Sequence, residues 1–251
     1  MKFKTNGLII KEQNIGEQDK LVTVLSDSHG VIRAFVRRAK NIKSPKCAST
    51  GLLCYSELSV FENKGTYSID EAHSIEMFIK LRNNVKNMSL AQYFCELCIH
   101  LCPKEQDSSD YLRLILNALH LLAHNKKDPL LLKACVEMRL LSLCGYMPDL
   151  VMCDECGVYE SQSMTFVPKT GKLFCDTCSA QKGVRGIAAP KSVITALRHT
   201  VYSDSDKLFS FSLSEESLRL LNTLSESYLS AITEKDFLTL QFFKMMDDQS
   251  M

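Results

Sequence analysis

The first eighty residues alternate between apolar and polar positions, the period-two signature of half-buried strands, whereas the rest of the chain recurs at helical spacing. Five strands are read at Gly7–Ile10, Lys20–Leu25, Val31–Val36, Cys54–Phe61 and Thr66–Ile69. Turn chemistry separates them, because Asp27-Ser28-His29-Gly30 and Asn63-Lys64-Gly65 are both hairpin signals. Five short strands with one long connection, residues 38–50, predict a small barrel of the oligonucleotide-binding type.

Helical spacing begins near Ile75. Ser89 reads as a helix N-cap, followed by the stripe Leu90, Phe94, Leu97 and Leu101, which ends before Pro103. A second helix is predicted over residues 109–124. A third opens at Asp128-Pro129, with proline in the first turn, and closes at Gly145. It is apolar on nearly all sides, which places it at the centre of a bundle. Further helices follow Ala189-Pro190 and the capping-box spacing Ser212–Glu215, and the tail over residues 234–246 carries Phe237, Leu240 and Phe243. The expected fold class is α+β: an N-terminal five-stranded OB-fold barrel over residues 1–78, then an α-helical bundle domain over 79–251. An inserted four-cysteine module at 149–182 interrupts the bundle.

That module carries the strongest chemical signal. Cys153-Asp154-Glu155-Cys156 and Cys175-Asp176-Thr177-Cys178 are two Cys-x-x-Cys turns, and 18 residues lie between them. Such a pair supplies four soft thiolates at zinc-finger separation. Thr165–Val167 and Lys172–Phe174 read as two strands about a turn at 168–171, carrying the second thiol pair toward the first. Four protein ligands fill zinc's coordination shell, so one structural Zn²⁺ per chain is expected and Lewis-acid catalysis is not. The bland alternative is a pair of dithiols or free cysteines.

Composition narrows the class further. With 45% apolar and 24% charged residues in 251, the chain is an ordinary globular one. Eleven cysteines, an odd number, suit a reducing cytosol better than a disulfide scaffold. Neither a secretion signal nor a membrane span is read, so a cytoplasmic location without membrane contact is expected. The net charge of +1 conceals an asymmetry: residues 1–50 hold ten Lys or Arg against four Asp or Glu, a net of +6, leaving −5 for the remainder. Between Val31 and Lys46 there are six cations, Arg33, Arg37, Arg38, Lys40, Lys43 and Lys46, and no acid. A polyanionic partner follows. Strand period puts Arg33, Phe35 and Arg37 on one face, an aromatic ring between two cations, as a single-stranded nucleic acid requires. The alternative for Phe35 is packing inside the barrel.

Other clusters carry less. Cys95, Cys98 and Cys102 read as small buried hydrophobes on a helix, and His120 and His124 as helix C-terminal residues. No phosphate-binding loop, nucleophile elbow or dinucleotide fingerprint is found, so no catalytic residue is assigned and a non-enzyme is expected.

The run Gly7–Ile10, Gly16-Glu17, Asp19–Leu25 and Ser28-His29-Gly30, together with Leu143-Cys144-Gly145-Tyr146-Met147-Pro148-Asp149-Leu150 and Cys153-Asp154-Glu155-Cys156-Gly157, resembles the RecO family of bacterial recombination mediators along the whole chain. The resemblance implies a protein of DNA repair and recombination that binds single- and double-stranded DNA and anneals complementary strands. With RecR it would help load RecA onto DNA coated with single-strand-binding protein. It makes Arg33, Arg37, Arg38, Lys40, Lys43 and Lys46 phosphate contacts and the four module cysteines zinc ligands. It also implies that the C-terminal tail of single-strand-binding protein docks on the helical domain, for which Lys133, Arg139 and Arg198 are candidate cations. One departure from the family is that the glycine usual after the third strand is replaced by Arg37-Arg38-Ala39-Lys40. Two rival readings are a GTPase-activating zinc-finger protein, which needs an arginine where this chain has Gly183, and a zinc-stabilised structural subunit that does not touch DNA.

Overall fold

A computed structural model describes residues 1–40 and 45–248. It contains nine strands, β1 (Lys2–Ile15), β2 (Asp19–Ser26), β3 (Gly30–Val36), β4 (Tyr55–Asn63), β5 (Thr66–Glu76), β6 (Asp149–Cys153), β7 (Ser163–Val167), β8 (Lys172–Cys175) and β9 (Ile187–Pro190), among the described residues. The helices are α1 (Pro45–Ser49), α2 (Val85–Leu101), α3 (Ser109–Ala123), α4 (Pro129–Leu143), α5 (Asp176–Lys182), α6 (Lys191–Tyr202), α7 (Glu215–Thr233) and α8 (Leu238–Asp248). Contacts gather into two compact units, Met1–Lys126 with the C-terminal stretch from Phe237, and Lys127–Asp236.

In the first unit β1 to β5 close a barrel in the order β1-β2-β3-β5-β4. Every pairing is antiparallel except β3 with β5, the connectivity of an OB-like barrel. Alternation drives it: Val22, Val24, Ile32, Ala34, Val36, Leu58, Val60 and Ile69 fill the interior. The 14-residue β1 makes closure possible by pairing with β4 along its first half and β2 along its second. Gly7 lies where both pairings overlap, and a Cβ there would come within 2.4 Å of Val24.

The β2–β3 turn is pinned from outside the barrel. Gly30 takes a left-handed φ of 66°, and a Cβ on it would meet the Pro103 carbonyl oxygen at 2.3 Å. The loop after α2 supplies the pinning bonds: Val31 N–H donates to Pro103 O at 2.8 Å, Glu105 N–H to His29 O at 3.0 Å and Ser108 N–H to Asp27 O at 2.8 Å. Within the turn, Asp27 accepts from Thr5 Oγ1 at 2.6 Å.

Two helix starts differ from the sequence expectation. Helix α2 begins at Val85 because Asn84, in extended conformation, accepts from Asn87 N–H at 3.0 Å. Ser89 is therefore interior, donating to Lys86 O at 2.8 Å. Helix α7 is capped by Ser214, not Ser212, through the amide of Ser217.

The second unit is built on α4, capped by Asp128, whose Oδ1 accepts from Leu130 N–H at 2.7 Å. Its buried charges are paired: Lys133 reaches Glu137 at 2.9 Å and Glu226 at 3.2 Å, while Ser225 donates to Glu137 at 2.6 Å. Such pairing is what makes ions tolerable in a core. A four-stranded sheet, β6-β8-β7-β9, carries the cysteine module. Its β7–β8 hairpin pairs Phe166 with Leu173, as expected, around the turn at 168–171.

Candidate metal centre and nucleic-acid face

Each thiol pair sits where a strand ends. Cys153 closes β6, and the chain then turns so that Gly157, at φ 71°, donates its N–H to Cys153 O at 3.0 Å, with Cys156 inside the turn. Cys175 closes β8, and Cys178 lies in the first turn of α5. The four Sγ atoms all lie within 4.8 Å of one another, and those of Cys156 and Cys175 are 3.7 Å apart. Four sulfurs held at about 2.3 Å from one tetrahedral ion are about 3.8 Å apart. The cage therefore has the size and donor chemistry of a tetrathiolate metal site.

Electrostatics agree with the geometry. Burial raises the Cys153 thiol, yet backbone N–H groups of Cys156, Cys175 and Glu155 outweigh it and bring it down to about 6. Cys178 moves the other way, up to about 12, through hydrogen bonds shared with Cys175 and Cys156. The thiolate is thus favoured at Cys153, whereas Cys178 keeps the proton that it shares with its sulfur neighbours. A divalent cation can stand in place of the shared protons. Flanking charges are paired: Lys172 with Asp154 at 2.8 Å and Lys182 with Glu155.

The basic residues fall into three places. On β3, Ile32, Ala34 and Val36 are buried while Arg33 and Phe35 face outward, Phe35 being 40% exposed, and Arg37 is exposed at the first position past the strand. Phe35 is thus on the surface, not inside the barrel. Arg38 and Lys40 occupy the following turn. Arg38 takes φ 56°, the left-handed conformation that favours glycine, with its N–H donated to Asp19 Oδ1 at 2.8 Å. Lys40, half-buried, donates from Nζ to Gly16 O at 2.7 Å and ties this turn to the β1–β2 loop. Lys46 stands apart on α1, and Lys43 lies outside the described residues.

Lys11 was missed by the sequence reading and is exposed beside this face. Cross-strand register aligns Lys11 with Thr23 and Arg33, and Gln13 with Leu21 and Phe35. The available signal was weak, because Lys11 to Ile15 are all exposed and do not alternate.

Three cations suggested for an acidic tail are committed internally. Lys133 is 2% exposed in its pair with Glu137. Arg139 donates to Thr200 O at 3.1 Å and Ser203 O at 2.7 Å. Arg198 donates to the carbonyls of Leu150 at 2.7 Å, Val151 at 3.2 Å and Tyr159 at 2.6 Å. Cys95, Cys98 and Cys102 are buried, as expected, and burial lifts the Cys95 thiol to about 12. His124 sits at its own helix end, its Nδ1 donating to His120 O at 2.9 Å. Among the described residues no helix is long and apolar enough to cross a membrane.

Comparison with known proteins adds the lineage. Residues 1–78 match the family described as Recombination protein O N terminal, and residues 82–240 match Recombination protein O C terminal. The chain is 35% identical to the DNA repair protein RecO of Acetivibrio thermocellus over 247 residues, covering 98% of this chain and 97% of that one. It is 29% identical over 245 residues to the RecO of Caldicellulosiruptor bescii, covering 97% and 98% of the two chains. A RecO of Dehalococcoides mccartyi is 26% identical over 237 residues, with 93% and 92% covered.

Proposed function

The chain belongs to the RecO family of DNA repair proteins, and from that premise we propose that it is a recombination mediator without catalytic chemistry, which grips DNA through its barrel and anneals complementary strands. The observation that carries this reading is the outward face at the end of β3, where exposed Phe35 stands between Arg33 on the strand and Arg37 just past it. Arginines neutralise phosphates, and an exposed ring offers a base a stacking surface regardless of sequence. Lys11 extends the positive face across β1. In the family setting the partners are RecR, the C-terminal tail of single-strand-binding protein and, through them, RecA; a cytoplasmic location suits such partners.

Cys153, Cys156, Cys175 and Cys178 hold one Zn²⁺ in this reading. The ion's contribution is cohesion, because four thiolates leave no coordination position for water or substrate. It joins β6, β8 and α5, elements too short to be stable alone. Gly183 supports this over a GTPase-activating role: it closes α5 at φ 60° and carries no side chain to reach a nucleotide.

A strand-annealing assay on DNA coated with single-strand-binding protein tests the proposal, run with metal-loaded and chelator-treated protein. Accelerated annealing by the loaded protein is expected. No acceleration, together with no DNA binding in dilute buffer, would overturn the reading.

A further inference from the structure

Phe61 is 46% exposed on β4, although a phenylalanine there has an apolar barrel interior one residue away on the same strand. It is paired with Ser68 of β5, and Ser68 is in turn paired with Phe35 of β3. Residues paired across neighbouring strands emerge on the same side of a sheet. Phe35, Ser68 and Phe61 therefore form one outward row across three strands. Two inter-strand spacings separate the phenylalanines, roughly 10 Å from backbone to backbone. Ser68, small and half-buried, occupies the position between the two phenylalanines in this row and donates to Phe61 O at 3.5 Å.

Positive charge borders this row at both ends. Arg33 and Arg37 flank Phe35. Lys2 is paired with Phe61 across β1 and β4, and the N-terminal ammonium donates to Glu62 O at 2.7 Å beside it. Lys64 occupies the two-residue turn between Asn63 and Thr66, at φ 48° ahead of Gly65 at 76°. Two acids lie near: Glu62 is half-buried, and Asp70 meets Lys2 at 3.1 Å with both side chains more than half exposed. An exposed pair of that kind is worth little, so an arriving phosphate competes for Lys2 at small cost.

We propose that Phe35 and Phe61 are the two stacking stations of one track for single-stranded nucleic acid, crossing β3, β5 and β4 toward the β4–β5 turn, with Arg33, Arg37, Lys2 and Lys64 on the phosphates. This rests on the DNA-binding reading above and adds to it a strand preference. Duplex bases are stacked at 3.4 Å with their faces covered, and rings about 10 Å apart on a rigid barrel cannot enter that stack. They reach only bases that are already splayed apart.

The chain has no tryptophan, so Phe35→Trp and Phe61→Trp each introduce a sole indole reporter. Each variant is titrated with a thymidine oligonucleotide of about 16 nucleotides, the upper range for one such barrel, and with a blunt duplex. Both indoles are expected to be quenched by the single strand and neither by the duplex. Phe61→Ala lowers single-strand affinity by about 5- to 150-fold, leaves duplex affinity and the salt slope unchanged, and is rescued by Phe61→Tyr. A silent Phe61→Trp reporter on protein that binds the single strand by polarisation overturns the track, as does an equal loss on single strand and duplex. If wild-type protein binds neither oligonucleotide at low salt, the DNA-binding reading itself fails. Matched thermal melts exclude misfolding of these surface variants.

Discussion

Arg38 combines a backbone cost with a charge that the proposed reading places on DNA. Its φ of 56° lies in the left-handed region that favours glycine, and an L side chain there costs about 1 kcal/mol. The Asp19 carboxylate, which accepts the Arg38 N–H at 2.8 Å, holds the turn in place. Arg38→Gly is expected to raise unfolding stability by about 0.5–1 kcal/mol in urea titrations while weakening DNA binding, so stability and affinity move in opposite directions. A loss of both would mean that the arginine side chain packs structurally. At this scale the sequence was legible wherever spacing alone defines the chemistry, as at the four module cysteines. It was not legible at Lys133, Arg139 and Arg198, because a cation on an apolar helix can face solvent or neutralise a carbonyl cluster with the same periodicity. Only the fold reveals the three carbonyls that Arg198 serves.

At the scale of elements, alternation revealed all five barrel strands but shortened two of them. The second half of β1 and the end of β5 are exposed on both faces, so their polar runs lose the period that marks a strand. Helix α1 lies in a basic connection with no apolar stripe long enough to announce it. The module's strands β6 and β9, five and four residues long, were equally hidden, while the β7–β8 hairpin was read from its turn. In the proposed reading these short pieces depend on a metal held by the four cysteines. Removing it with a strong chelator, or Cys175→Ser, is expected to release one zinc per chain and expose four or three thiols to a thiol reagent. Amide exchange should then quicken across residues 149–190 and remain slow in β1–β5. Acidification has the same direction of effect, since protons compete with the ion for each thiolate and metal affinity falls with pH. Unchanged exchange after complete metal loss would remove the structural role.

For the whole molecule, the relevant property is how charge is distributed, since +6 in residues 1–50 is offset by −5 elsewhere. A nearly neutral chain can thus still bind a polyanion, with the affinity residing in one region and the remainder repelling the same ligand. If about five cations meet phosphates of a single strand, log K should fall against log salt with a slope near −3.5. Arg33→Glu with Arg37→Glu should flatten that slope by about 1.4 and reduce affinity regardless of sequence. Lys40 is a poor choice for this experiment because its ammonium fastens the β1–β2 loop at Gly16.

The bonds from Pro103, Glu105 and Ser108 to the β2–β3 turn bear on any attempt to excise the barrel. A piece trimmed after residue 78 would keep every barrel strand yet lose the outside clasp on His29 and Val31, baring a raw seam beside the strand that carries Phe35. Such a piece should precipitate or bind feebly for reasons unrelated to its missing cations, whereas one extended through residue 126 with the α8 tail supplied should behave as the intact chain does.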